Sequence, residues 1–71
     1  MLKDQSTYVI NGQPAVFLAT VTKGPLGLLP SAEFHFKDGS VIKTTHERGV
    51  STADGNLDRS VIYTNGAWKF V

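Results

Sequence analysis

The stretch "VIYTNGAWKFV", residues 61–71, decides the reading of this chain. Two apolar, β-branched or aromatic runs flank Asn65-Gly66, and Asn-Gly most readily takes the positive φ angles of a tight hairpin turn. A two-residue loop then sets the register: Tyr63 faces Trp68 and Val61 faces Phe70, while Ile62 and Lys69 lie on the other side. One face of this hairpin is strongly apolar. Aromatic cross-strand pairs of this kind stabilise a sheet by roughly 0.2–1 kcal/mol each.

Working outward, "YVINGQPAVFL" (8–18) and "FHFKDGSVIKT" (34–44) repeat the same grammar around Asn11-Gly12 and Asp38-Gly39. Beyond the turns their side chains do not match, so the likeness is shared turn chemistry rather than an internal repeat. The chain reads as three hairpins in series, with strands expected at 6–10, 13–22, 31–37, 40–46, 58–64 and 67–71. In the middle hairpin a type I turn with a left-handed Gly39 and a bulge sets Glu33 opposite Lys43 and Phe34 opposite Ile42. A two-residue loop would set Phe34 opposite Lys43. The bulged register pairs like with like and is preferred; either one puts Phe34 and Phe36 on one face and His35 on the other.

Strand 13–22, "QPAVFLATVT", is apolar on both faces, with Ala15, Phe17, Ala19 and Val21 on one side and Val16 and Leu18 on the other. Such a strand is normally covered twice, which in so short a chain requires a sheet curled into a barrel or a second subunit. Pro14 has no N–H to donate and belongs near an edge or among a strand's first residues. The expected fold is therefore all-β: one domain, 1–71, a six-stranded antiparallel meander of three hairpins forming a small barrel or sandwich. Its expected core is Tyr8, Ile10, Phe17, Val21, Phe34, Phe36, Val61, Tyr63, Trp68 and Phe70.

Two stretches fall outside the hairpin grammar. "TKGPLGLLPS", 22–31, holds Leu26, Leu28 and Leu29 between Pro25 and Pro30. The prolines disfavour helix at the residues before them, so the stretch is expected to be an irregular connector. Its leucines either plug one end of the barrel or form an exposed apolar patch of the kind that marks a partner surface. "HERGVSTADGNLD", 46–58, is polar and rich in turn formers, and is expected to be an exposed loop.

Composition narrows the function classes. A chain of 71 residues buries only ~60% of the surface its unfolded form exposes, and small scaffolds compensate with disulfides, a metal or oligomerisation. There is no cysteine, which removes disulfides, thiolate metal sites and cysteine nucleophiles and suits a reducing compartment. Seven basic and six acidic residues give a net charge of +1, far from the clustered basic face of most nucleic-acid binders. "MLKDQSTYVI" lacks the apolar run of a signal peptide, and no segment has the ~18 apolar residues of a membrane span. The expected setting is cytoplasmic.

No cofactor motif is present. His35 and His46, with Glu33, Glu47 and Asp54, match no metal-ligand spacing, so both histidines are read as surface or interface residues. Ser51, Thr52, His46 and Asp54 nominally supply a nucleophile, base and acid, but a polar loop offers neither the rigid scaffold nor the oxyanion hole that catalysis needs. No enzyme is expected.

The segment "ATVTKGPLGLLPSAEFHFKDGSVIKTTHERG", 19–49, resembles in strand pattern the front half of bacterial initiation-factor-1-like OB-folds. That resemblance covers under half the chain, and it implies RNA contact near Phe34, Phe36, Lys37, Lys43 and Arg48. Single-strand stacking needs such aromatics exposed among the basic residues. The favoured expectation is instead a non-enzymatic protein-binding or assembly module, a small regulator, inhibitor or structural subunit, which pairs with itself as a homo-oligomer and with another protein. Its expected contact residues are Leu26, Leu28, Leu29, His46 and Arg48. The closing strand "AWKFV" carries no blocking proline and is a further edge for pairing.

Overall fold

The computed structural model describes residues 1–47, 50–54 and 56–71, with backbone only at 47, 50 and 52–54. Seven strands follow in chain order: β1 (Thr7–Ile10), β2 (Gln13–Gly24), β3 (Gly27–Phe36), β4 (Val41–Glu47), β5 (Val50–Asp54), β6 (Val61–Thr64) and β7 (Ala67–Phe70). Strands β1 to β5 form one antiparallel meander in sequence order, and β6 and β7 form a separate two-stranded sheet. The molecule is all-β, and the two sheets are not closed into a barrel.

The three hairpins turn where their glycines require it. Asn11 and Gly12 have φ of 53° and 76°, and Asn65 and Gly66 have 52° and 79°, so both central residues of each loop are left-handed, as a type I′ turn demands. Gly39, at φ 92°, closes the longer loop. Its N–H donates to the Phe36 carbonyl (3.0 Å), and the Phe36 N–H donates to the Ser40 carbonyl (2.9 Å). This is the bulged geometry, and it pairs Glu33 with Lys43 and Phe34 with Ile42. In the last hairpin Tyr63 pairs with Trp68 and Val61 with Phe70.

The stretch expected as a connector is instead part of the longest hairpin. β2 runs to Gly24 and β3 starts at Gly27, leaving Pro25 and Leu26 as the turn. Pro25 supplies the fixed φ that a first turn corner uses. Pro30 is tolerated for a reason set by the ladder. The Phe17 N–H donates outward to the Ser6 carbonyl (2.9 Å) and the Ala19 N–H donates outward to Asp4 Oδ1 (2.8 Å), so odd residues of β2 point their backbone groups away from β3. Through the register, Val21 opposite Pro30 turns the missing donor of Pro30 toward β4, and the β3–β4 pairing stops at Ser31–Thr45.

The stretch expected as an exposed loop, 46–58, instead contains β5, which pairs antiparallel with β4. Its Ser51, Thr52 and Ala53 carry no strong hydrophobic alternation, so pairing with the open edge of β4 supplies what side-chain pattern did not.

The apolar face of the β6–β7 hairpin packs against one face of the large sheet. Ile10, Phe17, Phe34, Phe36, Val61 and Trp68 are buried, and Tyr8, Tyr63 and Phe70 pack at the margin. Phe34 stacks on Phe70 at 6.4 Å between centroids and is tilted against Phe17 at 5.4 Å. Each such aromatic contributes about 1.5–3 kcal/mol of burial. Leu2, Ala15 and Ala32 join this core without having been expected there. Val21 does not join it and is 65% exposed, because the covering hairpin is much shorter than β2. The opposite face also stays open: Val9, Val16 and Val41, which share it, are exposed rather than covered by closure.

Candidate functional site

The β2–β3 hairpin outruns its neighbours. β1 pairs with β2 only as far as Val16, and the N-terminal segment follows that edge to Ala19. β4 leaves β3 at Ser31. Residues 20–30 therefore form a two-stranded arm whose strands pair with each other alone among the described residues. It departs beside Thr45 and ends at the Pro25-Leu26 turn.

The two faces of the arm differ. Thr20, Thr22, Leu29 and Ser31 share one face. Thr20 Oγ1 and Ser31 Oγ are 2.7 Å apart, and Thr22 Oγ1 donates to Ser31 Oγ at 2.9 Å. Leu29 folds over Gly24 so closely that a Cβ there would sit 2.8 Å from Leu29 Cδ1. The other face presents Val21, Leu28 and Pro30, with Lys23 opposite Leu28. Leu28 is 71% exposed and Leu26, at the tip, is fully exposed. Of the two expectations for the leucines, the plug is excluded for Leu26 and Leu28, while Leu29 is half-buried within its own arm.

His46 follows Thr45 at the base of the arm, and its ring meets Tyr63 edge-on at 5.3 Å. Arg48 lies outside the described residues. Ser51, once grouped with His46 as a nominal nucleophile, accepts the Tyr63 N–H on its Oγ (2.8 Å) and so joins β5 to β6. On the far face His35 Nε2 lies 2.6 Å from Glu33 Oε1. No group of three His, Cys, Asp or Glu side chains suited to a metal ion occurs among the described residues.

Two expectations about partners change. The outer edge of "AWKFV" is part-occupied, because the Leu2 N–H donates to the Trp68 carbonyl at 2.8 Å. The residues that the OB-like resemblance would bring to RNA divide: Phe34 and Phe36 are buried, whereas Lys37 and Lys43 are exposed.

Val21, expected in the core, and Lys23 and Asp4, not singled out from the sequence, stand along the outer edge of the arm. The signal was available in "ATVTKG", 19–24, whose alternation continues to Gly24. With its even residues facing β3, β2 turns the N–H and C=O groups of Val21 and Lys23 to an open edge. Asp4 stands at the base of that edge, on the Ala19 N–H, and Lys23 stands near its tip.

Among the described residues, no helix is long and apolar enough to cross a membrane. No family model matches the chain, and no curated protein or solved structure matches it.

Proposed function

We propose that this protein is a non-enzymatic protein-binding or assembly module, working as a homo-oligomer in a cytoplasmic setting, and that the β2–β3 arm is its contact surface. The observation that supports the reading is the uncovered apolar side of that arm. Val21, Leu26 and Leu28 are all well over half exposed and cluster at one end of a small molecule, and soluble proteins seldom leave such side chains together without a use. A chain this short gains disproportionately from surface buried against another chain.

The nucleic-acid reading is weaker on the same ground. Stacking requires open aromatic faces, and Phe34, Phe36 and Trp68 are spent on the core.

Native mass spectrometry across dilution, at low and high salt, tests the proposal. Association that survives salt and is lost in Val21→Asp or in Leu28→Asp supports it. Retention of a single-stranded oligonucleotide at low salt, released at moderate salt, would replace it with the nucleic-acid reading.

A further inference from the structure

We infer that the occupant of the arm is a second copy of this chain, and that the two copies join by antiparallel pairing of their β2 edges about a two-fold axis at Thr22. The inference rests on the assembly reading above and specifies its chemistry.

On the β3 side of the arm Pro30 has no N–H, so a strand added there loses a ladder bond. On the β2 side Val21 and Lys23 each present an N–H and a C=O outward, and no bond to these groups occurs among the described residues. A strand edge in this state is a template for another strand.

The length of the edge selects the partner. The open stretch is 20–24, bounded by Asp4 at Ala19 on one side and by the Pro25 turn on the other. An antiparallel copy of 20–24 fits that gap when Thr22 lies opposite the partner's Thr22 and Val21 lies opposite the partner's Lys23. In this register Val21 and Lys23 of each chain exchange their N–H···O=C bonds with Lys23 and Val21 of the other. The two Thr22 side chains then meet at the close, non-hydrogen-bonded position, a favourable cross-strand pair. Shifting the copy by two residues toward Ala19 would drive its backbone against Asp4.

Charge agrees with the same arrangement. Along the edge an acid stands at the base and a base stands near the tip. Antiparallel pairing brings each Lys23 toward the partner's Asp4 and sets the two lysines diagonal to one another, each directly opposite a Val21, whereas parallel pairing in register would set lysine opposite lysine. A lysine on an edge ordinarily discourages pairing; here it discourages all registers that lack the acid. The contact is small, so the dimer is concentration-dependent rather than permanent.

Sedimentation of the full chain from about 1 μM to about 1 mM, with the fold of each variant checked by circular dichroism, tests this. Val21→Pro removes an outward N–H while sparing the β2–β3 ladder, and is expected to fold and remain monomeric. Lys23→Glu is expected to weaken the dimer about tenfold, and Asp4→Asn, which keeps an Oδ1 acceptor for the Ala19 N–H, to weaken it about threefold; the two combined are expected to cost less than the product of the single effects. A parent chain that stays monomeric throughout overturns the inference. So does association that Val21→Pro and Lys23→Glu leave unchanged; if Leu28→Asp abolishes that association, the assembly reading stands and edge pairing alone falls. Single effects that multiply fully in the combined variant overturn the register.

Discussion

Asn11 shows how one side chain can serve two purposes. It holds a φ of 53° in the first turn, its Nδ2 donates to the Asn56 carbonyl, and its Oδ1 accepts the Asp58 N–H at 2.7 Å. The turn was legible from Asn-Gly; the long-range bonds were not, since they join positions 45 and 47 residues apart. Asn11→Gly keeps the left-handed backbone and removes both bonds. Urea denaturation is expected to show a loss of about 1–2 kcal/mol at unchanged m value, and an unaltered midpoint would show that the bonds contribute nothing. Asp38 offers a pH-dependent counterpart. The Ser40 hydroxyl and then its N–H hold the Asp38 carboxyl below its ordinary range. Because the folded value is the lower one, the contribution to stability is present above the ordinary carboxylate pKa and is lost as pH falls through the folded value. Carboxyl NMR titration of Ser40→Ala is expected to move Asp38 upward toward that ordinary value, and an unmoved midpoint would assign the effect to another group.

At the scale of elements, the three tight turns and the registers of two hairpins were readable, because Asn-Gly and Asp-Gly specify backbone geometry within four residues. The arm and β5 were not. Prolines at 25 and 30 argue against a strand until the ladder shows that one forms the turn and the other faces away from β2. β5 lacks hydrophobic alternation and owes its place to the edge of β4. Exposure of Val21 likewise depends on where a separate hairpin ends, which no local pattern states. The three leucines, expected to act as a group, divide between tip, apolar face and hydroxyl-bearing face. This division gives a stability contrast. Leu28→Asp is expected to change folding stability by no more than about 0.5 kcal/mol, while Phe34→Ala, at a fully buried position, costs about 3–5 kcal/mol. Paired thermal or urea melts check it; comparable losses would mean that Leu28 is packed within its own protomer.

As a whole the molecule combines one compact aromatic core with an arm that meets it only at its base, where Thr20, Val21 and Pro30 line a cavity with Phe17, Tyr63 and Trp68. The Cα atoms extend 35 Å along the longest axis and 22 and 20 Å along the others, and none of residues 20–30 is fully buried. Covering Val21 and satisfying the outward groups of Val21 and Lys23 is the gain that a second copy brings to a chain of marginal size. Amide hydrogen exchange at residues 20–23, compared between dilute and concentrated protein, tests this most directly. Thr20 and Thr22, which face β3, are expected to be protected at both concentrations. Val21 and Lys23 are expected to exchange freely when dilute and to slow at least about tenfold when concentrated. Exchange at Val21 and Lys23 that is the same at both concentrations would contradict the account.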